Sequence, residues 1–174
     1  MNDFRNFDQA KTGEFFITRH KWFSPYYELT DGQFVYGKLG FKTFLKQCAI
    51  IETAQGQWTL NKKGWLSRTL LINSGDENVG TVVPEVWKRN AALKLNNGFE
   101  ATYYQSKKFY CDSLTLNNTG YGDIVQIKAK IWSFKKPFII TVEQAKQNKD
   151  LNMPLLILTA AYLILARQAQ AAAA

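Results

Sequence analysis

The chain has 174 residues, 46% hydrophobic and 14% aromatic, with 22 Lys and Arg against 14 Asp and Glu and a formal charge of +8. Such a length and composition belong to one globular domain with a sizeable core, and the excess of cations permits contact with anionic lipid or nucleic acid without requiring it. The two cysteines, Cys48 and Cys111, sit in no paired motif, which argues against a disulfide scaffold and for a reducing compartment. The opening Met-Asn-Asp-Phe-Arg-Asn-Phe-Asp carries early acids and lacks the uninterrupted apolar core of a signal peptide, so the expected location is the cytoplasm.

Residues 1–24 read as an N-terminal segment in which Phe15-Phe16-Ile17 and Trp22-Phe23-Ser24-Pro25 suggest a clip or edge strand packed on the main body. From residue 25 to 143 the pattern changes to short β-branched and aromatic runs broken by turn signals at regular intervals, as in an all-β sandwich or barrel. The turns are of two kinds. Asp31-Gly32, Ala54-Gln55-Gly56, Ser74-Gly75-Asp76, Asn96-Asn97-Gly98 and Asn117-Asn118-Thr119-Gly120 supply left-handed backbone at little steric cost. Between them fall basic and aromatic turns: Leu39-Gly40-Phe41-Lys42, Lys62-Lys63-Gly64-Trp65, Pro84-Glu85-Val86-Trp87-Lys88-Arg89, Lys107-Lys108-Phe109-Tyr110 and Phe134-Lys135-Lys136-Pro137. The two kinds alternate through all of these connections. Consecutive connections of an up-and-down antiparallel sheet lie at opposite ends, so alternation along the chain becomes segregation in space. One end is expected to be rich in Gly and Asn, the other basic and aromatic.

Strand faces support about eleven strands. Trp58 and Leu60, then Ala91, Leu93 and Leu95, then Phe99, Ala101 and Tyr103, then Val125, Ile127, Ala129 and Ile131 alternate with polar neighbours such as Lys94, Glu100, Gln126 and Lys128. One face is core and the other solvent, whereas Leu70-Leu71-Ile72 is apolar on both.

Residues 153–166 read Met-Pro-Leu-Leu-Ile-Leu-Thr-Ala-Ala-Tyr-Leu-Ile-Leu-Ala. A helix apolar on every face must be enclosed by protein or by lipid. Asn152 and Pro154 stand where a cap and a first helical position belong, predicting a helix over 152–168 after a polar connector and before an alanine-rich tail, 169–174, with nothing to bury. A bilayer span needs about 20 apolar residues, and a run of about 10–14 suits a buried core helix. A sheet with one apolar face also needs a cover. The expected fold is therefore mainly β: a closed antiparallel barrel of about 11–12 strands enclosing the hydrophobic C-terminal helix, one domain over 1–174, with no transmembrane span.

This pattern resembles the tubby C-terminal-like superfamily, which includes tubby proteins, phospholipid scramblases and LURP-one-related proteins, and is most similar to its small bacterial members. The resemblance covers residues 15–168. It is carried by Tyr27-Glu28-Leu29-Thr30-Asp31-Gly32 opening the first hairpin, by the repeating hairpins, by Leu93-Lys94-Leu95-Asn96-Asn97-Gly98-Phe99 and by the apolar helix. It implies a barrel around a central helix and, from tubby domains, headgroup binding through Lys and Arg at positions that do not align onto particular residues here. Scramblases are associated with an acidic calcium-binding segment before the helix. Here 143–150 has acids only at its ends, Glu143 and Asp150, so a calcium site is not implied.

The constellation that could carry function is the basic-aromatic end: Lys62, Lys63, Trp65, Lys88, Arg89, Lys107, Lys108, Lys135 and Lys136, with Lys42, Trp87 and Phe109 beside them. Cations and interfacial aromatics suit an anionic membrane surface, contacted peripherally, or a phosphorylated ligand. The plainer alternative is solvated loop charge with aromatics packed as lids, in a protein-interaction scaffold with no lipid role. Nucleic-acid binding through basic loops alone would be non-specific. Catalysis finds little support. The single histidine, His20, reads as structural or solvated and the two cysteines as core, no Cys or His cluster has zinc spacing, and no Gly-rich strand-to-helix motif cradles a nucleotide. The expectation is a non-enzymatic binding domain without cofactor or metal.

Overall fold

The computed structural model describes residues 4–42, 48–64, 67–85, 90–105, 113–130, 133, 135–143 and 151–172. Twelve strands follow in chain order: β1 (Glu14–His20), β2 (Tyr26–Thr30), β3 (Val35–Phe41), β4 (Cys48–Thr53), β5 (Gly56–Lys62), β6 (Leu70–Ser74), β7 (Glu77–Pro84), β8 (Ala91–Leu95), β9 (Glu100–Gln105), β10 (Ser113–Asn118), β11 (Gly122–Ala129) and β12 (Phe138–Val142). Each pairs antiparallel with its chain neighbours, and β1 pairs with β12 to close the barrel, setting Glu14 opposite Thr141 and Ile17 opposite Phe138. Closure leaves no edge strand open to pairing with another chain.

The barrel therefore begins at Glu14, not at residue 25, and the segment expected as a clip or edge strand on the main body is one of its walls. The reason is a period of two: Phe15 and Ile17 are fully buried, while Phe16 and Thr18 face outward. The same alternation buries Leu60, Leu93, Tyr103 and Ile127. It also resolves the ambiguous run on β6, where Leu70 and Ile72 are buried and Leu71 only partly so.

The last element, α1 (Met153–Ala171), is buried over residues 153–165 without a break. Burial on every face requires enclosure. Its nearest walls are β3 and β4 on one side and β10 and β11 on the other, so the helix runs through the barrel rather than lying on it. Although its length and composition would suffice to cross a bilayer, its apolar surface is already covered by protein. The helix continues past the expected end at residue 168 to Ala171, as alanine's high propensity allows without burial.

Three contacts fix the helix in place. The Asn152 side chain accepts a hydrogen bond from the Leu155 N–H at 2.9 Å and donates to Thr53 Oγ1 at 3.2 Å, which caps α1 and ties its entry to the end of β4. The Tyr103 hydroxyl donates to the Leu156 carbonyl at 3.0 Å, and burial pushes this phenol's pKa up. On β3, a Cβ at Gly37 would stand 2.9 Å from the Glu52 carbonyl oxygen and 3.0 Å from Leu158 Cδ1. The wall thus lacks a side chain where Leu158 of the helix packs against it.

Candidate functional site

An up-and-down barrel sorts its connections between two mouths. Those joining β1–β2, β3–β4, β5–β6, β7–β8, β9–β10 and β11–β12 lie at one mouth. The other five lie at the opposite mouth, with the N-terminal segment and the start of α1. Among the described residues, the connections of the first mouth contain the cations Lys21, Lys42, Lys63, Arg68, Lys130, Lys135 and Lys136 and one acid, Glu85. The connections of the second, residues 31–34, 54–55, 75–76, 96–99 and 119–121, contain two acids, Asp31 and Asp76, and no cation, and the N-terminal segment beside them adds Arg5, Asp8 and Lys11. Charges of one sign gathered at one end of a small barrel sum to a directed surface potential.

Of the residues expected to form a site, four are described, and all four come to the basic mouth. Lys62 closes β5; Lys63, Lys135 and Lys136 are in connections, and every one is exposed. The 135–136 stretch is held in place. The Arg19 N–H donates to the Lys135 carbonyl at 2.8 Å, and the Lys136 ammonium stands 4.8 Å from the Phe16 ring. Trp65, Lys88, Arg89, Lys107 and Lys108, with Trp87 and Phe109, lie outside the described residues. One turn is corrected. Leu39, Gly40 and Phe41 belong to β3, and the Phe41 ring packs 6.1 Å from Tyr27 and 6.2 Å from Tyr162, leaving Lys42 to begin the connection.

The connection at 21–25 belongs to the same mouth and was not expected there. Trp22 is 74% exposed and Phe23 86%, well above the next large apolar side chain among the described residues, Tyr121 at 49%. They are flanked by Lys21 at φ 59° and Ser24 at φ 52°, the only non-glycine residues with positive φ among those described. Left-handed backbone costs a residue bearing a Cβ about 1–2 kcal/mol. The Arg19 guanidinium stands 5.8 Å from the Trp22 ring. The signal that would have found this loop was in the sequence: Lys21-Trp22-Phe23 continues the alternation of turn chemistry one connection further back, once 14–20 is taken as a strand.

The second mouth is closed by local bonding. Asp31 Oδ1 accepts from the Gln33 and Phe34 N–H groups, each at 2.8 Å, and Oδ2 accepts from the Tyr36 hydroxyl at 2.6 Å. Burial alone would raise the Asp31 pKa, but the Tyr36 hydroxyl and these N–H groups outweigh it and hold the carboxyl below its usual range. Asn118 Oδ1 likewise accepts from Gly120 and Tyr121. Phe7, in a short 3₁₀ turn (Phe7–Gln9), stacks 4.8 Å from Phe15 and meets Tyr36 at 5.4 Å, forming a lid. Beneath it, Arg5, Thr53 and Asn152 border a hollow of roughly one water molecule. The helix N-terminus offers it little, because Asn152 already takes the Leu155 N–H.

The single histidine is part of the outer wall: His20 Nε2 lies 2.8 Å from Glu28 Oε2, and the ring stacks on Tyr26 at 4.9 Å. Cys48, expected in the core, is half-buried on the outer face of β4, while Cys111 lies outside the described residues. Among the described residues, no three His, Cys, Asp or Glu side chains converge on a point where a metal ion could sit. Comparison with family models, curated proteins and solved structures finds no match to this chain.

Proposed function

We propose that this chain is a non-enzymatic, tubby-like binding domain of the cytoplasm whose basic mouth docks on phosphate-bearing anions, either the headgroups of an anionic phospholipid surface or a soluble phosphorylated ligand. The observation that carries the reading is the charge sorting among the described residues: seven cations against one acid in the connections of one mouth, and at the other no cation against two acids in its connections, with Arg5, Asp8 and Lys11 in the N-terminal segment beside them. Each Lys or Arg near an anionic surface contributes about 1 kcal/mol, so Lys62, Lys63, Lys135 and Lys136 together supply on the order of 4 kcal/mol. That is enough for reversible contact and is strongly screened by salt. The tubby-like assignment is supported by a closed twelve-strand barrel around one apolar helix. Enclosure of that helix supports peripheral contact rather than a transmembrane span.

The test is co-sedimentation of detergent-free protein with neutral and with anionic vesicles at low and high salt, with inositol hexakisphosphate as soluble competitor. The reading expects binding to anionic vesicles only, lost at high salt and lost when Lys62, Lys63, Lys135 and Lys136 are replaced by Glu. Binding of inositol hexakisphosphate measured directly by calorimetry, without vesicle binding, would assign the mouth to a soluble phosphorylated ligand. Folded protein that binds neither vesicles nor the competitor would sink the reading and leave a protein-interaction scaffold in its place.

A further inference from the structure

We propose that the 21–25 connection is a membrane wedge: Trp22 and Phe23 enter the interfacial layer of an anionic bilayer when the basic mouth reaches its surface. This rests on the anionic-surface reading above and adds to it an apolar anchor at a stated place.

Four features of the loop lead there. The aromatic pair is adjacent in sequence and more exposed than any other large apolar side chain described. It contributes almost nothing to the core, and the backbone presenting it is unfavourable, with Lys21 and Ser24 both left-handed. Features that work against stability at two levels at once mark positions kept for another purpose. The surroundings are cationic. Because β1 lies between β2 and β12, the loop sits beside the 130–137 connection with Lys135 and Lys136, and Arg19 reaches the Trp22 ring. Lys21 leans back, its ammonium 5.8 Å from the Tyr26 ring on the wall, leaving the aromatic pair uncovered by its own neighbour. Finally, the residue types fit one occupant. Trp favours the headgroup layer, where its ring is apolar and its N–H stays hydrated, and cations around it match an anionic leaflet rather than an apolar protein groove.

The two contributions separate by salt. Cation attraction is screened, whereas apolar insertion is not. The experiment compares wild type, W22A/F23A, W22F and the Lys62, Lys63, Lys135, Lys136→Glu variant on phosphatidylcholine vesicles with and without 30% phosphatidylserine, with bromine-labelled acyl chains as a quencher of tryptophan fluorescence. The wedge predicts that W22A/F23A needs about tenfold more lipid for half-binding and loses the residual binding that wild type keeps at high salt. Quenching by the brominated chains should be larger in wild type than in W22F, which still binds and keeps the other four tryptophans; equal quenching of the two proteins would overturn the wedge. If the charge variant fails to bind while W22A/F23A binds as wild type does, the wedge is wrong and the basic mouth stands. If W22A/F23A fails while the charge variant binds normally, the wedge stands and the basic mouth falls. A wild-type dimer in sedimentation without vesicles that W22A/F23A converts to a monomer would give the pair to a second copy and overturn the wedge.

Discussion

The connections of the Gly and Asn mouth are two to four residues long and those of the basic mouth five to eight, and the two mouths use their side chains differently. At the Gly and Asn mouth, polar side chains bond back to their own turns: Asp31 holds three donors, Asn118 holds two and Phe7 closes the lid. The left-handed residues described there are all glycine, with φ from 59° to 146°. Among the described residues of the basic mouth the left-handed ones are Lys21 and Ser24, the most exposed large apolar side chains are Trp22 and Phe23, and Lys62, Lys63, Lys135 and Lys136 are exposed. The Gly and Asn mouth is made by rules of local stability and the basic mouth departs from them. Local rules broken at one end of an otherwise consistent fold locate the surface that meets something else.

Variants can break or sharpen this contrast, beginning with the element that both mouths share. Leu158→Asp places an unpaired charge among fully buried walls beside Gly37 and should abolish folding; a soluble variant with unchanged thermal stability would show that the helix does not hold the barrel together. Next in size is the tight mouth. Asp31→Ala should cost about 1–2 kcal/mol, because two turn N–H groups and the Tyr36 hydroxyl lose their acceptor. The sign with pH follows from the lowered carboxyl. The unfolded chain binds this proton first, near its ordinary value of 3.8, so the contribution is complete above that pH and fades as pH falls through the lower folded value. Urea midpoints of wild type and Asp31→Asn should therefore differ at pH 6 and converge toward pH 2. A constant difference across that range would remove the carboxylate from the explanation.

Between the mouths, Thr159 is fully buried and its hydroxyl has no hydrogen-bond partner among the described residues. Thr159→Val keeps the shape and removes the orphaned group, so it should raise stability by about 1 kcal/mol, read as a shift in denaturant midpoint at constant slope. The smallest expected effect on folding per site is at the basic mouth. Replacing Lys62, Lys63, Lys135 and Lys136 by Glu should change stability by no more than about 0.5 kcal/mol per site while changing binding most. A large loss of stability would mean that these lysines serve the fold.

Much of this architecture is legible in the sequence, because period-two alternation and turn chemistry are local signals. Leu93-Lys94-Leu95-Asn96-Asn97-Gly98 names a strand and its turn without help from elsewhere, and the all-round apolar helix demands an enclosure. The wall that closes the barrel was harder to see. Phe15-Phe16-Ile17 reads as an unbroken apolar run, and only pairing with β2 and β12 shows that Phe16 faces outward beneath Lys136. That missed strand also hid Trp22 and Phe23, since without it the 21–25 loop has no mouth to belong to. Phe41 errs in the other direction: an aromatic next to Lys42 looks like rim, and a partner at 162, distant in sequence, makes it core. Long-range packing decided each case, and no window of the sequence contains it.

The division between the mouths is tested most directly by hydrogen–deuterium exchange with and without anionic vesicles, resolved by peptide. Protection should appear at residues 21–25, 63–69 and 130–137 and be absent at 31–34, 96–99 and 119–121. Equal protection at both mouths, or protection confined to the Gly and Asn mouth, would contradict the assignment of binding to the basic end.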